Sequence, residues 1–240
     1  MSEPYYKDDL VTLYHGDCLT VAEWLDADVL VTDPPYGRAW RQGEVNEARG
    51  LKPSAHSGIA NDETTDVRDM ALSAWGEAKP AVAFGDLMLS PPAGTRHVLI
   101  YDKGTAVGFH GAVGGYRRNA EAVYLIGPGH GSGLGGRSAI ITTSVGHPGS
   151  LSKETGHPHT KPADVMTLLI GGTSGTVADP FAGSGSTLLA ARNLGRQSIG
   201  VELEERYCEL IAKRLSQQAF DFGSIEEIRS AGWASPELAI

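Results

Sequence analysis

Seven short runs of apolar residues most constrain the fold of this 240-residue chain: Leu10 to Tyr14, Asp28 to Thr32, Ala81 to Phe84, His97 to Tyr101, Ala122 to Ile126, Thr176 to Ala178 and Ser198 to Val201. A strand with one wet face alternates apolar and polar residues. A run that is apolar almost throughout reads instead as a strand covered on both faces. Helical spacing fills several of the gaps and is clearest from Glu204 to Gln217, where Tyr207, Leu210, Ile211, Arg214 and Leu215 recur every three or four residues. Further helices are expected at Leu19 to Leu25, Thr64 to Glu77, Ala163 to Leu169 and Thr187 to Leu194. Buried strands alternating with helices make an α/β fold with a doubly wound, mostly parallel sheet. A chain that is 41% hydrophobic can bury one large core, so a single domain over residues 1–240 is expected.

Composition narrows the setting. The first residues lack a basic segment followed by an apolar stretch, and no apolar run nears the roughly 20 residues of a membrane span, so the expectation is a cytoplasmic protein with no membrane partner. Two cysteines, Cys18 and Cys208, without C-x-x-C spacing, argue against a disulfide framework and against structural zinc. A net charge of −9 disfavours nonspecific gripping of nucleic acid. Positive charge is nonetheless clustered: Arg38, Arg41, Arg49 and Lys52 lie close together, and Lys103, Arg117, Arg118 and Arg137 fall in loops. Thirteen of the 31 glycines lie between Gly104 and Gly149, which reads as mobile loops, and a second aperiodic segment runs from Gly37 to Asn61. The tail after Phe220 has no assigned role.

The run ending at Thr32 closes on Asp33-Pro34-Pro35-Tyr36. Two adjacent prolines fix two φ angles and remove two backbone donors, so the Pro34 carbonyl is free to point away from the ladder. Carboxylate and carbonyl together can take both hydrogens of an exocyclic amine while the Tyr36 ring stacks on the attached base. A Pro-Pro turn with an Asp cap accounts equally well for the tetrapeptide alone.

Asp179-Pro180-Phe181-Ala182-Gly183-Ser184-Gly185-Ser186-Thr187 reads as a strand, a small-residue turn and a helix start. Gly183 and Gly185 allow a ligand to approach the backbone, and the helix offers unpaired amides. The P-loop lysine is missing, and Leu188 occupies the third glycine position of the dinucleotide fingerprint. Some twenty residues on, Ser198 to Val201 ends at Glu202, a carboxylate able to accept two ribose hydroxyls, as in an adenosine site at the carboxyl edge of such a sheet. An N-cap role explains Glu202 as simply. Asp17, in Gly16-Asp17-Cys18, could receive an adenine amine or cap the next helix.

Together these stretches resemble the amino-group DNA methyltransferases that use S-adenosylmethionine to modify adenine N6 or cytosine N4. The resemblance rests on Tyr14 to Cys18, on Asp28 to Gly37, on His157-Pro158-His159-Thr160-Lys161-Pro162, and on Asp179 to Thr187 with Gly200-Val201-Glu202 through Arg214, about half the chain. The amino-gripping turn precedes the cofactor turn, as in the circularly permuted β group. The resemblance implies a seven-stranded Rossmann-like sheet with one antiparallel strand, Ala122 to Ile126, and just before it, in Arg117-Arg118-Asn119-Ala120-Glu121, a segment lining the target-base pocket. It implies Asp33, Pro34, Pro35 and Tyr36 as the catalytic turn, and a cofactor site of Asp17, Cys18, Asp33, His159, Thr160, Lys161, Asp179, Phe181, Ala182, Gly183, Ser184, Gly185, Ser186, Thr187, Glu202 and Leu203. His159, Thr160 and Lys161 would close over the cofactor's carboxylate. Double-stranded DNA is the implied partner, contacted by Arg38, Arg41, Lys103, Arg117, Arg118 and Arg137, with residues about 104–157 as target-recognition segment and about 221–240 as a tail. A homodimer and a cognate restriction endonuclease are further expected partners by family habit.

Such an enzyme must rotate the base out of its stack, and Tyr36 would offset part of that cost. The resemblance further implies adenine N6 over cytosine N4, since by the family's habit Asp rather than Ser opens the turn in adenine enzymes. Methylation at cytosine carbon-5 would need a nucleophilic cysteine in a Pro-Cys turn, which neither Cys18 nor Cys208 occupies. A noncatalytic decoy, or an enzyme acting on RNA or a protein amide, remains an alternative class. His157 and His159 as a metal pair lack further ligands at suitable spacing.

Overall fold

The computed structural model describes residues 2–39, 59–104, 115–130, 136–143, 157 and 160–230, with side chains of the last helix described to 217. Its strands are β1 (Tyr6–Lys7), β2 (Val11–His15), β3 (Val29–Thr32), β4 (Ala81–Gly85), β5 (Thr95–Asp102), β6 (Ala120–Ile126), β7 (Ile140–Thr142), β8 (Val177–Asp179) and β9 (Ser198–Glu202). They form one sheet in the order β1-β2-β9-β8-β3-β4-β6-β5-β7. Helices α1 (Asp66–Trp75), α2 (Ala163–Gly171), α3 (Ser186–Asn193) and α4 (Glu205–Ser230) accompany it.

All seven expected strands are present. The reversed strand is the expected one: β6 runs antiparallel to β4 on one side and β5 on the other. The expected count of seven is corrected to nine, because β1 and β7 extend the two edges. Both are two or three residues long, and of their residues only Ile141 is buried, so neither writes an apolar run into the sequence. β1 is also antiparallel to its neighbour β2.

Consecutive apolar residues in the central strands feed opposite faces. On β3, Leu30 joins Trp24, Trp75, Ala83 and Tyr124 on one side, while Val29 and Val31 join Val82, Phe84, Met166 and Ile170 on the other. A third cluster seats α4 and α3 against β2 through Leu13, Leu188, Ile211 and Leu215.

Two helix expectations change. Between Leu19 and Leu25 only a 3-10 turn forms, Glu23–Asp26. The Asp17 side chain accepts the Leu19 amide at 2.9 Å, and the Asp17 carbonyl takes the Thr20 amide and the Thr20 hydroxyl, each at 2.9 Å, so local bonds compete with a helical ladder. Trp24 is anchored there by its indole N–H to the Cys18 carbonyl at 2.9 Å and by stacking on Trp75. α4 runs past Gln217 to Ser230 and takes in part of the segment expected as a tail. Among the described residues no helix is long and apolar enough to cross a membrane.

Parallel pairing through β2, β9, β8, β3 and β4 puts their carboxyl ends on one edge. That edge collects Asp17, Glu202, the Asp179 turn, the Asp33 turn and Asp86. Because β6 is reversed, its first residues, Ala120 and Glu121, also arrive there.

Candidate active site

A cleft of about 330 Å³ opens along the carboxyl edge of the sheet. Asp33, Pro34, Pro35 and Tyr36 line one part of it and Pro180 to Ser184 the other, with Asp17, Cys18, Glu202 and Leu203 beside the glycine turn. The two constellations, almost 150 residues apart in the chain, thus share one cavity because β3 and β8 are paired neighbours.

On the glycine side, α3 begins at Gly185, whose φ is +79°, and a side chain there would meet Ile211 at 2.9 Å. Gly183, at φ +52°, sits under the His157 ring, which packs edge-on against Tyr207. Small residues are therefore required by both backbone and packing. Asp179 is buried and accepts from the Thr32 hydroxyl at 2.7 Å and the Phe181 amide at 3.1 Å, which shapes the turn. Burial pushes its carboxyl up to about 6 despite those donors. Glu202 spans the turn and the start of α4: one oxygen accepts the Gly183 amide at 2.7 Å, the other the Glu204 amide at 2.8 Å. Burial raises this carboxyl to about 7. Each oxygen keeps a lone pair, so two ligand hydroxyls have acceptors, and the small-residue turn leaves room for a flat adenosine-sized group. The cradle fits S-adenosylmethionine.

At the other part, both oxygens of Asp33 are engaged. Oδ1 accepts the Tyr36 hydroxyl at 2.8 Å and Oδ2 the Lys161 ammonium at 2.6 Å. Lys161 also lies 3.2 Å from the Tyr36 oxygen and 3.3 Å from Glu121 Oε2, so its three N–H groups have three acceptors. Burial lowers the pKa of this ammonium, but the Asp33 and Glu121 carboxylates outweigh it and hold the pKa above the usual lysine value. Burial, then the same two carboxylates, push the Tyr36 phenol well above its ordinary range. The turn itself is fixed from below, since the buried Asp62 accepts the Gly37 amide at 2.9 Å.

Most residues singled out in the sequence line this cleft, including Ser186 and Thr187. Lys161 does too, but its ammonium reaches the Asp33 turn, and its carbonyl accepts the Ser186 hydroxyl at 2.9 Å. Thr160 is buried beneath, donating to the His157 carbonyl at 3.2 Å. Gly185 shapes the turn from behind. His159 and Arg41 lie outside the described residues. Of the basic residues, Arg118 lies at the cleft mouth, whereas Arg117 and Arg137 are exposed away from it. Arg38 is held by Asp86 through Nε at 2.6 Å and a second nitrogen at 2.5 Å, and Lys103 by Glu121 at 2.8 Å, so both charges are spent inside the protein. Asp62 and Asp86 are site residues that the sequence reading leaves out. Glu121 closes the segment Arg117-Arg118-Asn119-Ala120-Glu121, of which Arg118, Ala120 and Glu121 line the cleft. The thiols of Cys18 and Cys208 are pushed up to about 12 by burial and stay protonated at neutral pH.

Comparison with known proteins agrees with this geometry. A family model described as DNA methylase matches residues 135–214. YubD of Escherichia coli (strain K12), provisionally named a methylase, is 40% identical over an alignment of 253 residues, covering 93% of this chain and 97% of that one. The type II methyltransferase M.ScaI of Streptomyces caespitosus is 40% identical over 70 residues, only 23% of its own length. Among solved structures, the M1.HpyAVI–SAM complex superposes with a TM-score of 0.58 at 20% identity, over 85% of this chain and 100% of that one. The cytosine-N4-specific PvuII DNA methyltransferase superposes at 0.60 with 16% identity, over 88% of each. These two establish a common fold. With identity of that level sustained over nearly the whole of YubD, and the motifs gathered in one cleft, this chain belongs to the family of amino-group DNA methyltransferases that draw their methyl group from S-adenosylmethionine.

Proposed function

We propose that this chain methylates the exocyclic amine of a base rotated out of duplex DNA, adenine N6 in preference to cytosine N4, with S-adenosylmethionine as donor. The observation that carries the reading is the shared cleft: the Asp33 turn and the Gly183 turn line one cavity of a size for one nucleoside plus one base. Bound there, the cofactor would supply an electrophilic methyl group on a sulfonium. Glu202 would accept its ribose hydroxyls, Asp17 its adenine amine, and the backbone from Phe181 to Gly185 with the start of α3 its methionine end. On the facing side Asp33 and the Pro34 carbonyl accept the two amine hydrogens, which keeps the nitrogen lone pair directed toward the methyl. Tyr36 offers its ring to the extruded base, and its hydroxyl, tied to Asp33, sets the ring's tilt. Preorganised acceptors and alignment account for most of the acceleration. The preference for adenine rests on Asp in the first position of the turn.

Arg118 at the cleft mouth, with Arg117 and Arg137, would meet phosphate, with residues about 104–157 as the reading segment. Transfer of a labelled methyl group to duplex DNA, RNA and protein in parallel tests the substrate class, and single-molecule sequencing of the modified DNA identifies base and motif. Transfer to RNA or protein alone overturns the reading; N4-methylcytosine overturns only the choice of base. Protection of that DNA from an endonuclease tests a restriction partner, and light scattering tests a homodimer.

A further inference from the structure

As the methyl group bonds to an amine, the nitrogen becomes positively charged and must shed a proton, and the cleft contains a route by which that proton leaves as the transfer proceeds. Glu121, near the start of the reversed strand β6, is 12% exposed and lines the cleft with the Asp33 turn. Its Oε2 is 3.2 Å from the Tyr36 oxygen, and its Oε1 binds Lys103, which is about a quarter exposed. Tyr36 has one hydroxyl hydrogen and two carboxylate acceptors, Asp33 Oδ1 at 2.8 Å and Glu121 Oε2 at 3.2 Å. Lys161 touches all three oxygen groups and holds them in register. Two carboxylates face two ammoniums, so the cluster is neutral before reaction and carries one surplus positive charge once a proton arrives.

We propose that Asp33, Tyr36 and Glu121 form a path that carries the amine proton from the reacting nitrogen to solvent beside Lys103, with Glu121 as its exit. The inference rests on the methyltransferase reading above. In the first step the Tyr36 O–H bond breaks as its proton bonds to Glu121 Oε2, the Tyr36 oxygen takes a proton from Asp33, and Asp33 takes one from the nitrogen. Each bonding pair stays on the atom that gives up the proton, and the product amine becomes neutral. Glu121 then passes its proton to water, and the Tyr36 hydroxyl, left pointing at Asp33, turns to Glu121 before the next transfer. No oxidant or further reactant is involved. Glu121 is thus a positioning and relay residue that acts through Tyr36 and never meets the base.

The test is the single-turnover rate of labelled methyl transfer to duplex DNA by the wild type, Tyr36→Phe, Glu121→Gln and the double variant. Tyr36→Phe keeps the stacking ring. Each single change should slow transfer about a hundredfold while cofactor affinity stays within about twofold. The double variant should be no slower than the worse single one, because a path already cut cannot be cut again. In Glu121→Gln the residual rate should rise with the concentration of a small basic buffer such as imidazole, which a purely architectural role would not produce. Wild-type rates in Glu121→Gln, or losses that multiply in the double variant, overturn the path while leaving the enzyme's activity standing. A wild type that transfers to no amine overturns both. If Glu121→Gln does not fold, Glu121→Asp replaces it in the same cycle, with a smaller loss and the same lack of additivity.

Discussion

Glu202 offers a stability prediction whose sign can be worked through. Its side chain is 8% exposed, and burial lifts its carboxyl from 4.5 to about 7. A folded-state value above the unfolded one means that the contribution is fully present below 4.5 and is lost as pH rises through about 7. At about 1.4 kcal/mol per pH unit the loss amounts to roughly 3 kcal/mol for the unliganded protein. Glu202→Gln removes this dependence but leaves one oxygen to serve the Gly183 and Glu204 amides, at a cost of roughly 1 kcal/mol. The variant should therefore be less stable than wild type by about 1 kcal/mol near pH 4.5 and more stable by roughly 2 kcal/mol at pH 8. Urea midpoints across that range measure the crossing. Ribose hydroxyls donate to the ionised carboxylate, so cofactor binding near pH 7 should expel a proton, seen by calorimetry in two buffers of different ionisation heat and absent in the variant. Parallel stability curves for the two proteins between pH 5 and 8 would refute the reasoning.

Three other outcomes follow from the geometry. Asp33→Ala should lower kcat by about a hundred- to a thousandfold with cofactor binding within about twofold, measured by transfer assay and calorimetry; retained turnover excludes the assigned role. Lys161→Met removes the cation that bridges the Asp33 and Glu121 carboxylates and should cost roughly 3 kcal/mol by urea unfolding; a loss under about 1 kcal/mol excludes that role. Gly185→Ala imposes a left-handed backbone on an L side chain and drives its Cβ into Ile211, costing roughly 2–4 kcal/mol by urea unfolding, and a change under about 0.5 kcal/mol would contradict it.

The strands were legible because burial on both faces writes continuous apolar runs into the chain, and β3, β4, β6, β8 and β9 all appear where such runs stand. Edge strands β1 and β7 were not, since two or three residues, of which Ile141 alone is buried, are too few to show an apolar run. The helix expected at Leu19 failed because bonds to Asp17 close a turn there, a competition that periodicity does not register. Lys161 was singled out for the cofactor side, yet its reach to Asp33 depends on where the chain before α2 crosses the cleft.

Sequence alone determined the two chemical ends of the site, because D-P-P-Y and the glycine turn owe their properties to covalent facts: proline's missing donor, glycine's missing Cβ, a carboxylate at a fixed offset. Tertiary structure decided what stands behind them. Glu121 belongs to the Asp33 cluster only because β6 is inserted backwards between β4 and β5, which brings the start of one strand to the edge where its neighbours end. Electrostatic coupling among Asp33, Tyr36, Glu121 and Lys161 depends on distances of about 3 Å between residues up to 128 positions apart. Such separations are set by strand order and direction, which no local pattern of side chains encodes.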